Sequence, residues 1–304
     1  LQPGDPAQAL LSRLTGKSRA VDPAQLEAVR KMLGAPDGNL VTQYWDYLGT
    51  LAHGQFGISY TYYPYTVSDV IAEAIPWTLV LVGVTQVLSF VIGTMLGAWA
   101  AYRRNTRTDS LITLGSTFVG TLPFFWLALL LIFVFAITLR WFPDGGGYGG
   151  GSEPGWNWLF FSDAFQHSVL PALSLLVTGP IGWILGMRNN MVQTLGEDYA
   201  RLARAKGLPR PRIALTYGAR IAILPNVTGF AIALGGILGG TVLVETIFNY
   251  PGMGRLLLEA VSNKDFPLMQ TLFLFTTVGV LIANFLADVA YGFLDPRVRR
   301  TEAV

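Results

Sequence analysis

Long uncharged apolar runs alternate with short polar connections along this chain, at the spacing of membrane-crossing helices. Five stretches lack Asp, Glu, Lys and Arg: Trp77–Ala101, Leu111–Leu139, Ser168–Met187, Ile221–Val244 and Phe266–Ala287. Each is long enough for a hydrocarbon core, which takes about 20 residues of helix. The longer ones exceed a core of about 30 Å at about 1.5 Å per residue, which predicts tilt or kinks. Pro123, Pro171, Pro180 and Pro225 lie inside these runs or at their ends, where neighbouring helices can satisfy the freed carbonyls. The pattern predicts an all-α protein, a polytopic transmembrane helix bundle.

The polar connections sort by charge. Arg103, Arg104 and Arg107 lie between the first two runs, and Arg188, Arg201, Arg204, Lys206, Arg210, Arg212 and Arg220 between the third and fourth. Arg297, Arg299 and Arg300 follow the last. The segment Arg140–His167 has one Arg at its edge, and Glu245–Asp265 sets Arg255 and Lys264 against three acids. Cytoplasmic loops carry the excess of Lys and Arg, so the basic connections are expected inside and the others outside. The chain then divides into an external segment 1–76, a transmembrane domain 77–294 with a cytoplasmic loop 188–220, and a cytoplasmic tail 295–304.

Composition supports a bilayer setting: 52% of residues are hydrophobic and 13% charged, against roughly 25% charged in a soluble domain. Without cysteine, and with only His53 and His167, the chain offers neither a disulfide framework nor a metal cluster. A net charge of +2 is too small to argue for nucleic acid. No convergent nucleophile, base or paired carboxylate marks a catalytic centre within the runs.

In the first segment, Pro23–Leu33 has helical character, with Asp22 as N-cap and Gly34 as C-cap. Tyr44, Trp45 and Tyr47 form an aromatic cluster suited to a membrane interface. His53 reads as a turn or surface histidine, since no second ligand lies near it in sequence.

The most unusual polar stretch is Asp198–Pro225. Thr194-x-x-Glu197 has the capping-box pattern. Glu197 and Asp198 place negative charge where a helix dipole favours it, by about 0.3–1 kcal/mol each when exposed. Ala200, Ala203 and Ala205 present little bulk to an approaching protein surface. Arg201, Arg204 and Lys206 follow toward the C-terminal end. Gly207 fits the left-handed position that closes a helix, and Pro209 and Pro211 prevent continuation. A short helix results, marginal alone, which calls for a groove on a partner.

Ala203-Arg204-Ala205-Lys206-Gly207-Leu208, with Asp198-Tyr199 ahead and Leu224-Pro225 behind, resembles the coupling loop of bacterial ABC-importer permeases in their oligopeptide/dipeptide/nickel branch. Arg201 and Leu202 stand where the general pattern has Glu and Ala, and Leu-Pro falls farther beyond the glycine than in sugar importers; both are features of the peptide/nickel branch. Leu1–Pro6, His53–Ser59, Val244–Gly254, Asp288–Tyr291 and Leu294–Arg297 resemble further segments of that family. Leu1–Pro6 resembles a signature that follows the family's first membrane helix, so a sixth, N-terminal span is expected ahead of it. The resemblance implies a type I importer permease that binds no cofactor itself. It would pair with a homologous second permease, two cytoplasmic ATP-binding subunits that use ATP and Mg, and an external solute-binding protein. Asp198, Tyr199, Ala203, Arg204, Ala205, Lys206, Gly207 and Leu208 would meet the ATP-binding subunit. The transported solute would be a peptide, a nickel chelate or an oligosaccharide.

Gly235-x-x-x-Gly239 and Gly236-x-x-x-Gly240 form a small-residue stripe of the kind that lets helix backbones approach. Gln86, Thr121, Thr178, Asn226, Thr228 and Asn284 are the polar side chains available to a translocation path. Gly145–Gly151 reads as a flexible loop rather than a phosphate loop, because it neither follows a strand nor opens a helix. No Gly-x-x-x-x-Gly-Lys-Ser/Thr occurs. A self-sufficient channel or secondary transporter is the alternative, and it usually needs ionisable residues within its spans, which the five runs lack.

Overall fold

The computed structural model describes residues 40–237 and 242–294, with Leu11, Leu26 and Glu27. Leu1–Pro6, most of Pro23–Leu33, Gly239, Gly240 and 295–304 fall outside the described residues. Inside a hydrocarbon layer only a helix or a closed barrel satisfies every backbone polar group, and the described residues form helices along most of each apolar run.

Helix α1, Leu40–Ala52, carries the exposed Tyr44 and Trp45. Helix α2, Val67–Tyr102, starts at Val67 rather than Trp77 because Thr66 caps it. The Thr66 hydroxyl accepts the Asp69 N–H at 3.2 Å, and the Asp69 carboxylate accepts the Thr66 N–H at 3.3 Å. That is a capping box, and it draws Asp69 and Glu73 into the helix. His53 lies in the turn before α2 with its Nδ1 2.7 Å from the Gly49 carbonyl.

The second apolar run is not one tilted helix. Helix α3, Arg107–Gly120, and helix α4, Phe124–Thr138, meet at 89°. Pro123 opens α4 from an extended conformation (φ −62°, ψ 128°), and lacking an N–H it cannot extend α3. Ile132–Thr138 ends α4 as a π-helix. The third run behaves oppositely: α5, Trp158–Thr178, and α6, Pro180–Thr194, follow each other as one 37-residue stretch. Short helix α7, Asp198–Ala205, precedes α8, Arg210–Ala222, which bends by 42° into α9, Leu224–Gly235. Helices α10, Val242–Ile247, α11, Met253–Ser262, and α12, Phe266–Leu294, complete the described chain. Among the described residues three helical stretches are long and apolar enough to cross a membrane, and five if each bent pair is one crossing. Large apolar side chains such as Leu111, Phe118 and Phe165 stand exposed on them, as lipid-facing residues do.

The tightest helix pair is α2 with α6, and glycine makes it possible. A Cβ on Gly93 would lie 2.6 Å from both the Pro180 carbonyl oxygen and Trp183 Cβ; one on Gly97 would strike the Ile184 carbonyl oxygen. Ser89 continues this row against Gly179. Of the stripe expected at Gly235–Gly240, Gly235 and Gly236 are among the described residues. A Cβ on Gly235 would sit 2.9 Å from Asn284 Oδ1 of α12, whereas Gly236 is exposed and meets only its own helix. Among the described residues Gly93-x-x-x-Gly97 makes the closer contact.

One end of the bundle carries Arg103, Arg104, Arg107 and Arg188 to Arg220, and is the basic end. At the opposite end α2 meets α10 and α11 through a buried polar clamp. Fully buried Glu245 accepts the Gly254 N–H at 2.7 Å and the Arg255 N–H at 3.1 Å, both at the start of α11. Thr78 of α2 donates to Glu245 at 3.1 Å and accepts the Met253 N–H at 2.7 Å. Buried Asp265 accepts the Ser59 hydroxyl at 2.6 Å and the Thr61 N–H at 2.8 Å. Tyr62 donates to Glu259, and burial together with that carboxylate holds its phenol pKa above the ordinary range. The loop expected at Gly145–Gly151 is docked onto this end through Gly145–Gly149, while Gly150 and Gly151 are exposed. The Gly146 N–H donates to the Phe248 carbonyl at 2.8 Å and the Gly149 N–H to Asp163 at 2.6 Å, while Gly147 is buried against Pro251 and Trp77.

Candidate functional site

Helix α7 is set off from the bundle by local chemistry at both of its ends. Helix α6 ends at Thr194, whose hydroxyl donates to the Asn190 carbonyl at 2.7 Å within its own helix. The expected Thr194–Glu197 capping box is therefore absent: Thr194 still belongs to α6, and α7 begins after Glu197 in extended conformation (φ −70°, ψ 158°) without a side-chain cap. Asp198 does occupy the first turn, near the favourable end of the dipole.

The C-terminal end is fully built. Gly207 has φ +74°; its N–H donates to the Arg204 carbonyl at 2.9 Å, and the Leu208 N–H donates to the Ala203 carbonyl at 3.3 Å. These two bonds constitute a Schellman motif. Leu208 supplies the apolar contact that accompanies it, packing on the cluster of Ala200, Ala203 and Ile213. Pro209 and Pro211 do more than stop α7. Pro211 sits in the first turn of α8, where its missing N–H has no partner to lose.

The helix face is assigned differently from the sequence expectation. Ala200 is fully buried and Ala203 only 3% exposed, both against Ile213 of α8, with Leu195 and Tyr217 alongside. Their small size lets α7 lie close on its own chain, where α8 covers them. The outward face consists of Tyr199 at 37% exposure, Leu202 at 57%, and exposed Arg201, Ala205 and Lys206. Arg204 curls back, its guanidinium donating to the Ala200 carbonyl at 3.3 Å and to the Leu195 carbonyl. Alanine fits either face of a helix, which is why the sequence alone did not separate the two roles.

The candidate path residues are distributed over α2, the α3–α4 bend, α5, α9 and α12. Thr121 is exposed at the α3–α4 bend and donates to the Phe118 carbonyl at 2.7 Å. Thr178 and Thr228 donate to carbonyls of their own helices, Ser174 at 3.4 Å and Leu224 at 3.1 Å. Asn226 is buried and bridges helices, donating to the Trp183 carbonyl at 3.1 Å. Asn284 faces Gly235, and Gln86 is half-buried on α2.

Two features escaped the sequence reading. Asp109, at the start of α3, and Arg188, on α6, form a paired contact: Nε at 2.6 Å and Nη2 at 2.9 Å from the two carboxylate oxygens. Asp109 also accepts the Asn105 N–H at 3.1 Å. The other feature is the Glu245 clamp. Charges at helix ends look alike in sequence whether solvated or paired, and the partners are far apart along the chain.

The architecture has a counterpart among solved structures. A chain of the MetNI methionine ABC transporter, in an inward-facing conformation, superposes with a TM-score of 0.59 at 15% identity, covering 75% of this chain and 97% of that one. The fold is thus that of a type I ABC-importer permease. The oligopeptide transport system permease protein OppB of Salmonella typhimurium is 36% identical over 302 residues, 98% of this chain and 90% of that protein. The oligopeptide transport system permease protein AppB of Bacillus subtilis is 33% identical over 297 residues, 97% and 90% of the two chains. Residues 93–300 match the family described as binding-protein-dependent transport system inner membrane component, and the chain belongs to that family. It is a permease subunit of an ABC importer and a multi-pass protein of the bacterial inner membrane.

Proposed function

We propose that this chain forms half of the translocation path for peptides or a similar small solute, and that α7 docks it onto a cytoplasmic ATP-binding subunit. The observation that carries the coupling role is the construction of α7. It is a short helix closed by a Schellman motif, strapped to α8 through Ala200 and Ala203, and presenting Tyr199, Leu202 and Lys206 outward. A helix of eight residues gains little from its own hydrogen bonds, so this rigid presentation serves a partner's groove. The basic end is then cytoplasmic, in accord with the positive-inside rule, and the Glu245 clamp is external. The peptide class rests on the kinship with oligopeptide permeases.

The chain performs no covalent step. ATP and Mg belong to two ATP-binding partners, a second permease completes the path, and an external binding protein delivers the solute. ATP-driven closure of the partners moves α7, and the bundle's contribution is different stability in its inward and outward states. Purification of the full chain from its host in mild detergent tests the assembly: ATP-binding subunits and a second permease are expected to follow it, and Leu202→Asp is expected to release the ATP-binding subunits while the second permease stays. Recovery of the chain without ATP-binding subunits in either form would sink the reading in favour of a self-sufficient transporter. Mass spectrometry of the ligand held by the co-expressed binding protein is expected to yield peptides; a metal chelate or sugar there would overturn the solute class alone.

A further inference from the structure

We propose that the cleft between α2, α6, α7 and α8 at the basic end is a binding site for the phosphate headgroup of an anionic phospholipid. The cleft has a volume of about 480 Å³, with Arg104, Arg201, Arg204 and Arg210 on its rim and no carboxylate in its lining. Its floor is apolar, with Val192, Leu195 and Ile213 between the helices.

Among the described residues only one of these arginines has a carboxylate partner. Among the described residues the Arg104 and Arg210 guanidinium groups have no ion-pair partner. Arg204 is bonded to two neutral carbonyls. Arg201 has Asp198 at 3.4 Å, but both side chains are mostly in solvent, where such a pair contributes little. Four like charges gathered on one cleft repel each other, and an anion lying among them removes that repulsion. Guanidinium groups bind phosphate oxygens in a two-pronged geometry, which lysine does not.

A lipid is favoured over a free phosphate or an acidic protein surface by what adjoins the cleft. Tyr102 lines it and ends an exposed stripe of α2 made by Met95, Trp99 and Tyr102, spaced to share one helix face. Trp and Tyr mark the headgroup level of a bilayer. A ligand with a phosphate at the level of Arg104 and acyl chains along Met95 and Trp99 uses both features; a free phosphate or an aspartate uses only the arginines. Basic pockets between helices at a membrane surface have the chemistry of anionic-lipid sites. Because Arg201 and Arg204 belong to α7, the headgroup would also hold that helix against the bundle. The site stands whether or not α7 docks an ATP-binding subunit.

Native mass spectrometry of the full chain, after exchange into mixed micelles of dioleoyl phosphatidylglycerol and dioleoyl phosphatidylcholine, tests the site. Retention of phosphatidylglycerol over phosphatidylcholine is expected. Arg104→Gln and Arg210→Gln should each weaken it about fivefold, the weight of one near-surface cation, and R104K/R210K should retain charge but recover only part of the binding. The pair R107Q/R212Q removes twice the charge of either single variant, from exposed positions outside the cleft, and should still match the unmodified chain. Equal loss in R107Q/R212Q would reduce the effect to diffuse charge and overturn the proposal. Displacement of the lipid by millimolar inorganic phosphate would assign the cleft to free phosphate instead. Loss of the lipid whenever ATP-binding subunits are bound would assign it to a protein interface.

Discussion

Gly207 offers a clean separation of backbone from side-chain effects. Its φ of +74° is one that L-residues enter at a cost, yet a Cβ built on it has no neighbour within 4 Å. Substitution therefore adds conformational strain without a clash inside the chain. For alanine the strain is about 1–2 kcal/mol, and a β-branched residue, stiffer at χ1, exceeds that. Asparagine tolerates the left-handed region and sits between glycine and alanine. Because the strain acts on the two bonds that close α7, from Gly207 to Arg204 and from Leu208 to Ala203, it falls on the local equilibrium that keeps the helix docked. A loss of about 1–2 kcal/mol lowers that docked population relative to its undocked form by about 5- to 30-fold.

The assay is solute uptake and solute-stimulated ATP hydrolysis by the reconstituted transporter, normalised to assembled protein. The expected order of activity is Gly, Asn, Ala, Val, with the melting temperature of the membrane domain nearly unchanged because α7 lies outside its core. If Gly207→Val supports uptake and coupled hydrolysis like the unmodified chain, the Schellman closure holds nothing functional. If Asn harms as much as Val, the glycine is needed for space against a partner rather than for its φ.

Other expectations follow from the packing. Gly97→Leu should abolish accumulation of folded chain by driving α2 from α6, whereas Gly83→Ala, with no neighbour within 4 Å of the added carbon, should accumulate normally; immunoblots of membranes distinguish them. Arg188→Ala strands the buried Asp109 carboxylate and should cost up to about 3 kcal/mol, seen in thermal unfolding in detergent, while D109A/R188A should be the milder change. Glu245→Ala leaves the buried Gly254 N–H and the half-buried Arg255 N–H at the start of α11 without their carboxylate and should cost about 1–3 kcal/mol in the same measurement. Ser152→Cys should react with a membrane-impermeant thiol reagent in intact spheroplasts and Thr216→Cys should not; the reverse result would invert the topology.

What the sequence disclosed and what it hid divide along physical lines. Apolar runs, their prolines and the basic connections are local signals, so the number of candidate crossings was legible. The left-handed residue closing α7 was too, since only glycine takes that conformation without strain. Hidden were choices that depend on residues distant in sequence. Gly93 and Gly97 look no different from Gly235 and Gly236 until Pro180 and Ile184 arrive opposite them. Glu245 and Asp265 read as solvated charges until the α11 backbone and Ser59 enclose them. Ala203 was assigned outward because small size permits an approach from either side, and the side was decided by Ile213.

The two ends of the molecule are joined by continuous packing, one physical route by which a displacement can pass between them. Arg204 ties α7 to the end of α6 through the Leu195 carbonyl, and Ala200 and Ala203 bind α7 to α8. Asn190 of α6 reaches the Ala222 carbonyl of α8 at 3.3 Å, and Asn226 of α9 reaches Trp183 of α6 at 3.1 Å. Helix α6 is therefore held at several heights by the segments that follow α7. It in turn lies on α2 through Gly93 and Gly97, too close for independent sliding. At its far end α2 presents Thr78 to Glu245 and the start of α11. Apart from the long Arg204 side chain, the junctions are made by close backbone approach at Gly93 and Gly97 or by short side chains such as Ala203, Asn190, Asn226 and Thr78. A push on α7 would thus be carried as movement of α6 and α2 together rather than absorbed in side-chain rotation.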